Sequence, residues 1–259
     1  MIFLHPSIDP VIFSLGSIEI RWYGLAYVAA FLLGIQLMKR FNNKIQENIN
    51  TKIIDDFFIW SIIGVIVGGR LGYVIFYQTL IFLNDPFYIF YIWQGGMSFH
   101  GALIGIIIAS YFFSKKNKQE LFVFLDLIAI ASPIGIFFGR ITNFINGELI
   151  GKATNASWGI IYPMIDDIPR HPSQLYEAFL EGIILFILMN LIYFKKNYKI
   201  GTCSYMFLIY YGILRIISEF FREPDVQLGY LFGSISMGIL LSSFMILIGA
   251  ILLYKKNDL

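Results

Sequence analysis

The chain has 259 residues, of which 58% are hydrophobic and only 14% are charged. Because a soluble domain carries about 25% charged residues, this composition indicates a protein whose surface largely faces lipid. The net charge of +2 is too small to indicate a nucleic-acid partner. The single cysteine, Cys203, excludes a disulfide framework, and three histidines with one cysteine are a poor basis for a zinc site.

Apolar runs long enough to cross about 30 Å of hydrocarbon predict an all-α integral membrane protein of about seven transmembrane helices, forming one domain over residues 1–259. Buried helices of a soluble protein are the alternative, but so many runs in a chain this short argue against it. The first span lacks a preceding basic segment and a clear cleavage site, so we interpret it as an uncleaved helix. The predicted spans are residues 20–38, 57–78, 96–113, 121–138, 175–194, 203–220 and 231–254.

Basic residues predict the orientation of the bundle. Twelve of them fall in every second loop and in the C-terminal tail, which the positive-inside rule assigns to the cytoplasm. We therefore expect the N-terminus outside, the C-terminus in the cytoplasm and an odd number of spans. The twelve are Lys39, Arg40, Lys44, Lys52, Lys115, Lys116, Lys118, Lys195, Lys196, Lys199, Lys255 and Lys256.

Arginine is concentrated at the opposite ends of the spans. Of the remaining basic residues only Lys152 is a lysine, and arginine offers a planar fork that binds phosphate or carboxylate through two hydrogen bonds. This distribution indicates an anion-binding site toward the non-cytoplasmic face. The arginines are Arg21, Arg70, Arg140, Arg170, Arg215 and Arg222.

The sixth span carries a polar stripe. Tyr211, Arg215, Glu219 and Arg222 are spaced so that they share one helix face. Glu219 can pair with either arginine at i,i+3 or i,i+4 spacing, and an internal salt bridge that only helps the helix insert is the alternative. Two arginines against one carboxylate leave a positive charge, which favours an anionic ligand.

Small residues recur every four positions in the second and third spans, which predicts two faces of close helix packing. Arg70 and Tyr77 share a face of the second span, where an aromatic belt at the membrane interface is the alternative for Tyr77. The small residues are Gly64, Gly68 and Gly72, and Gly101, Gly105 and Ala109.

A polar outer segment, residues 139–151, follows the fourth span and reads G-R-I-T-N-F-I-N-G-E-L-I-G. Its candidate site residues are Arg140, Asn143, Glu148 and Gly151. Its glycines would allow the backbone to turn and expose amide groups to a bound anion, with an ordinary re-entrant turn as the alternative.

Three other segments add polar groups toward the outer side. His100 begins the third span in H-G-A-L-I-G, where a neutral imidazole could accept a proton from a substrate, or could be a structural histidine. Tyr23 lies in R-W-Y-G at the start of the first span. The segment R-H-P-S-Q-L-Y-E enters the fifth span, in which Gln174, Glu177 and Glu181 share a face.

The sequence offers no nucleophile on this side. Cys203 is predicted at the cytoplasmic end of the sixth span, and no G-x-S-x-G, H-E-x-x-H or phosphate-binding P-loop motif occurs. We therefore expect any nucleophile to arrive with a substrate.

These motifs together resemble the bacterial prolipoprotein diacylglyceryl transferases, also called phosphatidylglycerol–prolipoprotein diacylglyceryl transferases. The resemblance runs through R-W-Y-G, G-G-R-L-G-Y, H-G-A-L-I-G, the 139–151 segment, R-H-P-S-Q-L-Y-E and R-I-I-S-E-F-F-R-E-P-D, in that order. Two positions depart from the family pattern: Ala102 replaces a glycine, and Thr142 replaces Gly or Ala. Both substitutions are small, so they bear on local packing more than on activity.

The resemblance implies transfer of a diacylglyceryl group from phosphatidylglycerol to the lipobox cysteine thiol of prolipoprotein signal peptides. A thioether forms, glycerol 1-phosphate is released, and this is the first step of lipoprotein maturation. It implies a multi-pass enzyme of the bacterial cytoplasmic (inner) membrane, in contact with membrane lipids, with its active site toward the non-cytoplasmic face and no metal or cofactor.

The resemblance also suggests roles for the candidate residues. His100 is the expected base, although an arginine could govern thiol ionisation instead, and Arg140 and Arg215 are expected to bind the lipid phosphate. The expected substrate-binding residues are Arg140, Asn143, Glu148, Gly151, Tyr23, Tyr77, Tyr211, Glu219 and Arg222.

Two other functions fit parts of the pattern. An anion transporter would also place arginines among helices, but usually shows internal repeats with broken helices in both halves. A non-enzymatic membrane assembly protein has little reason to hold so many inward polar groups. A transporter would carry anions into liposomes, whereas the transferase would attach lipid to a lipobox peptide, so these two assays distinguish them.

Overall fold

A computed structural model describes residues 3–16, 18–42, 49–195, 198–224, 229–231, 233 and 235–257. The chain is mostly helical. Lys44 and Lys196, used above for orientation, and Asp225 of the R-E-P-D motif lie outside the described residues.

The elements follow one another in chain order. Three short strands, β1 (Phe3–Leu4), β2 (Val11–Leu15) and β3 (Ile18–Arg21), precede α1 (Trp22–Asn42), α2 (Thr51–Tyr77) and α3 (Thr79–Asn84). Two 3₁₀ turns, Pro86–Phe90 and Ile92–Gln94, lead to α4 (Phe99–Asn117) and α5 (Leu121–Ile145). Then come β4 (Ile160–Ile161), α6 (Ser173–Glu177), a π-helical segment (Ala178–Ile184), α7 (Leu185–Tyr193), α8 (Thr202–Glu219), β5 (Tyr230–Leu231), β6 (Ile235–Ser236) and α9 (Met237–Asn257).

Each of the seven predicted spans overlaps a helix or a continuous helical stretch, but their bounds differ. The first span begins in β3, the third begins before α4, and the seventh begins at strand residues ahead of α9. Among the described residues, five are long and apolar enough to cross a membrane: Trp22–Asn42, Thr51–Tyr77, Leu121–Ile145, Ser173–Tyr193 and Met237–Lys256. The other two, α4 and α8, are more polar, because α4 ends in Lys115 and Lys116 and α8 carries Arg215 and Glu219. The structure thus supports a helical membrane protein with five candidate spans.

Lipid-facing character appears in the distribution of large apolar side chains. Most exposed positions in the middle of α2 and α9 are aliphatic or aromatic, whereas the fifth span buries Gln174, Glu177 and Glu181 completely. This distribution, apolar outside and charged inside, is the one expected when the surrounding medium is hydrocarbon. The exposed residues are Ile59, Ile63 and Val67 on α2 and Phe244, Leu247, Ile248 and Ile251 on α9.

The chain forms two compact units, residues Met38–Leu127 and residues Met1–Leu37 together with Ile128–Leu259. In the Met38–Leu127 unit, α2 packs on α4 through the predicted small-residue faces. A Cβ on Gly68 would lie 2.7 Å from Gly105 Cα, and one on Gly72 would lie 2.8 Å from Gly101 Cα. The prediction of close packing is confirmed, since only glycine fits there. Ala102 lies beside this face, near Gly69, so its extra methyl group does not separate the helices.

The same unit contains Arg70, which is buried and bound entirely to backbone oxygens. Its Nη2 donates to the carbonyls of Tyr88 (2.8 Å) and Tyr91 (3.0 Å), and its Nη1 donates to that of Gly95 (2.6 Å). Arg70 therefore holds the 86–96 segment against α2.

In the larger unit, α8 packs against α9. Gly212 allows this contact, because a Cβ there would lie 2.7 Å from Ile246 Cγ1 and 2.8 Å from the Ser242 carbonyl. The N-terminal segment joins the same unit: β1 pairs in parallel with β4, matching Phe3 with Ile160. These elements bring the C-terminal ends of α5 and α8 close to α6.

Candidate functional site

Six charged side chains form a largely buried cluster: they come from α5, the fifth span, α8 and Arg222, which follows α8. Arg140 Nη1 lies 2.8 Å from Glu177 Oε2, and Arg140 Nη2 donates to Glu181 Oε2 at 3.0 Å. Arg215 Nη1 lies 3.0 Å from Glu177 Oε2 and 3.1 Å from Glu181 Oε1. Arg215 Nη2 binds Glu219 Oε1, and Arg222 Nη1 lies 3.5 Å from Glu177 Oε2. The cluster brings together the predicted Arg140, Arg215, Glu219 and Arg222.

The cluster contains as many carboxylates as guanidinium groups. The surplus positive charge expected from the sixth span is therefore not present, because Glu177 and Glu181 supply two further negative charges. From the sequence, both glutamates share a face of the fifth span, but they are not among the expected catalytic or substrate-binding residues. Their shared face in an otherwise apolar span was the available signal, since uncompensated carboxylates within a membrane are costly.

Hydroxyl groups and an unusual helix geometry fix two of the carboxylates. Ser218 Oγ donates to Glu181 Oε1 at 2.9 Å, and Ser236 Oγ donates to Glu219 Oε2 at 2.8 Å. Glu181 itself lies in the π-helical segment, a rare geometry that occurs often at functional sites. A side chain on Gly238 would collide with Glu219, so glycine at this position leaves room for the carboxylate.

Tyr211, the fourth predicted member of the α8 stripe, is buried one turn before Arg215. Its ring stacks on Phe207 with centroids 5.6 Å apart. Tyr211, Arg215 and Glu219 therefore form an inward-facing stripe on α8, as the sequence predicts. Arg222 does not share this helix face, because α8 ends at Glu219 and Arg222 lies in the bridge to Gly151.

A second polar group contains residues from the first turn of α1 and the last turns of α5, with Glu148 just after α5. Tyr23 Oη donates to Glu148 Oε2 at 3.1 Å, and Asn143 Nδ2 donates both to Tyr23 Oη and to Glu148 Oε2, the latter at 3.1 Å. Asn146 Nδ2 donates to the other oxygen, Glu148 Oε1, at 3.1 Å. The predicted residues Tyr23, Asn143 and Glu148 thus share one hydrogen-bond network.

The polar outer segment begins inside a helix. Residues 139–145, with Arg140 and Asn143, form the last two turns of α5, which ends at Ile145. Thr142, one of the departures from the family pattern, is buried in these turns and donates to the Phe138 carbonyl at 2.8 Å.

Gly147 ends α5 rather than exposing amides to an anion. Its φ is +66°, its N–H donates to Phe144 O at 3.0 Å, and the next N–H, of Glu148, donates to Asn143 O at 2.9 Å. These are the two hydrogen bonds of a Schellman motif. The amides of Asn146, Gly147 and Glu148 are therefore all used within the helix end, and the expected anion-binding amides are not found at these positions.

The chain after Gly147 is fastened to the fifth span. Leu149 has a φ of +54°, a left-handed conformation that is uncommon for a side-chain-bearing residue. Its carbonyl accepts a hydrogen bond from Ser173 Oγ at 3.0 Å, and the carbonyl of Glu148 accepts one from Gln174 Nε2 at 2.5 Å. The turn thus presents two consecutive carbonyls to α6.

Gly151 occupies a site of close backbone approach. A Cβ there would lie 2.8 Å from the Phe221 carbonyl and 2.8 Å from His171 Cβ, and Gly151 forms an antiparallel bridge with Arg222. Arg170 Nη1 also donates to the Gly151 carbonyl at 3.3 Å. Gly151 therefore positions the backbone that carries Arg222.

His100 and Tyr77 lie in the Met38–Leu127 unit and are described within it. His100 is half-buried in the first turn of α4, next to Ser98, whose Oγ accepts the helix-capping hydrogen bond from Gly101 N at 3.2 Å. Tyr77 ends α2, is 40% exposed and stacks on Tyr73 with centroids 5.8 Å apart.

Comparison with known proteins agrees with the motifs. A family model described as prolipoprotein diacylglyceryl transferase matches residues 10–255. The chain belongs to this family. A Rickettsia typhi protein named phosphatidylglycerol–prolipoprotein diacylglyceryl transferase is 48% identical over 98% of each chain. A protein of the same name from Rickettsia bellii is 47% identical over 97% of this chain and 97% of its own length. Another from Aeromonas hydrophila is also 47% identical, over 98% of this chain and 93% of its own length. The family match includes both polar groups described above.

Proposed function

We infer that the protein is an enzyme that transfers a diacylglyceryl group from phosphatidylglycerol to prolipoproteins, the first step of lipoprotein maturation. The observation that carries this conclusion is the full-length match to relatives that bear this activity in their names. The buried arginine–carboxylate cluster supports it, because arginine forks suit a phosphodiester head group.

In the proposed reaction, the thiolate of the lipobox cysteine attacks the diacylglyceryl carbon that carries the phosphate. The new carbon–sulfur bond forms as the carbon–oxygen bond to phosphate breaks, and glycerol 1-phosphate leaves with the bonding electron pair. A free thiol has a pKa near 8.5, so a base must take its proton at neutral pH. We assign that role to His100.

Arg140 and Arg215 are proposed to bind the phosphate, whose negative charge grows as the bond breaks. Tyr23, Asn143 and Glu148 are proposed to bind the glycerol head group, because their hydrogen-bond network offers both donors and acceptors. The other residues proposed to bind substrate are Tyr77, Tyr211, Gly151, Glu219 and Arg222.

We also propose the finer topology. Two further helices, α4 and α8, would join the five candidate spans, giving seven with the N-terminus outside and the C-terminus in the cytoplasm. The enzyme would lie in the bacterial inner membrane, with its active site toward the non-cytoplasmic face.

Incubation of the purified protein with phosphatidylglycerol and a lipobox peptide tests the function. We expect the peptide to gain the mass of a diacylglyceryl group, and the same peptide with serine in place of its cysteine to gain none. Absence of any mass gain with a folded protein would overturn the proposal.

A further inference from the structure

Glu177 is the carboxylate that all three arginines of the cluster share. Its side chain has no exposed surface, and Oε2 lies 2.8 Å from Arg140 Nη1, 3.0 Å from Arg215 Nη1 and 3.5 Å from Arg222 Nη1. Among the described residues, neither of its oxygens has a partner with good hydrogen-bond geometry. Glu177 is therefore held by charge rather than by directed hydrogen bonds.

The other two carboxylates are fixed more firmly. Glu181 accepts hydrogen bonds from Ser218 Oγ at 2.9 Å and from Arg140 Nη2 at 3.0 Å. Glu219 accepts one from Ser236 Oγ at 2.8 Å and pairs with Arg215 on its own helix. Of the three, Glu177 can leave the arginines at the lowest cost in hydrogen bonds.

The charge balance of the cluster requires a carboxylate to move when an anionic ligand binds. Its three guanidinium groups already face three carboxylates, and a phosphodiester brings another negative charge into a region of low dielectric. Like charges at close range there repel strongly, so an anionic ligand binds well only if one carboxylate moves away from the arginines.

We propose that Glu177 is an internal counter-anion, which the phosphate of the donor lipid displaces from Arg140, Arg215 and Arg222. This rests on the proposed function and gives Glu177 the role of a positioning residue. Glu177 otherwise holds these three like charges together. After transfer, its return to the arginines helps expel glycerol 1-phosphate, which carries more negative charge than the diester because its second pKa is about 6.

Glu177→Gln tests the proposal because the expected sign is unusual. Removal of a competing negative charge should lower the mole fraction of phosphatidylglycerol for half-maximal binding in phosphatidylcholine micelles by about tenfold. The inhibition constant of free glycerol 1-phosphate should fall by a similar factor, and kcat should fall because product leaves slowly. Glu177→Asp, which keeps the charge, should bind like the parent.

A purely structural Glu177 gives the opposite result, since loss of its charge would separate the arginines and weaken binding of both ligands. Weaker or unchanged binding by folded Glu177→Gln would overturn the proposal. Binding of the lipid and binding of free glycerol 1-phosphate are measured separately. If Glu177→Gln bound only glycerol 1-phosphate more tightly, the proposal that the lipid phosphate displaces Glu177 would also be overturned.

A charge-balanced background covers the case in which Glu177→Gln does not fold. Arg222→Gln alone should weaken phosphatidylglycerol binding, and adding Glu177→Gln to it should restore binding toward the parent value. No restoration would contradict the proposal. Binding is measured with radiolabelled lipid, so a parent protein that binds but transfers nothing would refute the proposed function separately.

Discussion

Arg140 uses separate nitrogens to contact Glu177 and Glu181, which a lysine ammonium cannot reproduce. We expect Arg140→Lys to reduce kcat about 100-fold or more, the scale seen when one transition-state donor is removed. Turnover with purified protein measures this. The matched control is Arg21→Lys, because Arg21 makes an exposed pair with Glu19 that contributes little. Arg140→Lys activity within a few-fold of the parent would exclude Arg140 from phosphate binding.

Cys203 illustrates how position excludes a role. It is fully buried in the first turn of α8, about 18 Å along the helix from Arg215 at 1.5 Å per residue. We expect Cys203→Ala to keep activity within about threefold of the parent, because a small buried thiol contributes mainly packing. The lipidation assay measures this, and a 100-fold loss with normal folding would mean that the thiol takes part in the reaction.

His171 gives the stability of the loop between β4 and α6 a pH dependence. Burial, followed by the positive charge of Lys152, lowers its pKa below the usual 6.5. The folded protein therefore prefers the neutral imidazole, and the stability that it contributes is present above pH 6.5 and lost as pH falls through the lowered value. We expect Tm to fall between pH 7 and pH 5.

The variant His171→Gln isolates this effect, because glutamine stays neutral and can still bond to Tyr176, whose Oη lies 3.2 Å from His171 Nδ1. Its Tm should fall less over the same pH range in detergent. Identical pH slopes for parent and variant would show that His171 does not contribute.

The glycine face between α2 and α4 sets the stability of that helix pair. A methyl group on Gly68 would lie 2.7 Å from Gly105 Cα, so Gly68→Ala must separate the helices. We expect it to cost about 1–3 kcal/mol, the usual range for overpacking, seen as a lower Tm. Gly34→Ala in α1 is the control, because no atom lies within 4 Å of that position. Equal Tm values for both variants would contradict the packing interpretation.

The sequence predicts the presence of a helix better than the residues at which it begins and ends. The α2 helix begins at Thr51, ahead of the apolar run, because Asn50 caps it and Asp55 and Asp56 lie within it. Likewise, α5 continues past its apolar part to Ile145. Hydropathy detects only the part of a helix that crosses hydrocarbon, so polar turns that project beyond it are missed.

Some contacts of the candidate site could likewise be predicted from the sequence, and others could not. The Arg215–Glu219 pair could be predicted because helical spacing fixes it. Tyr23, Asn143 and Glu148 were each expected in the site, but the contacts of Tyr23 with the other two were not predicted. Pairing of Glu177 with Arg140 joins two different helices, which no local periodicity specifies. Likewise, Gly147 was recognised as a turn residue, but only backbone geometry distinguishes a Schellman cap from an anion-binding loop.

For the whole molecule, the proposed orientation in the membrane can be tested by labelling introduced cysteines. Asn155→Cys lies in the segment before β4, and Asn257→Cys lies at the end of α9, both in a Cys203→Ala background. With the N-terminus outside, we expect an impermeant thiol reagent to label Asn155→Cys in intact cells and Asn257→Cys only after lysis. The reverse pattern would refute the proposed orientation.

The N-terminal strand imposes an order on assembly. Phe3 and Leu4 pair with Ile160 and Ile161, and His5 bonds through Nε2 to the Phe144 carbonyl at 2.7 Å while stacking on Tyr162. At roughly 5–20 residues per second, the ribosome needs about 8–30 s after making Phe3 to supply its partner strand.

β1 must therefore wait for its partner strand while the five helices from α1 to α5 are made. Until Ile160 arrives, its backbone groups have no β4 to pair with, and His5 lacks the Tyr162 ring on which it stacks. β1 thus stays without its native partner strand until more than half of the 259 residues have been synthesised.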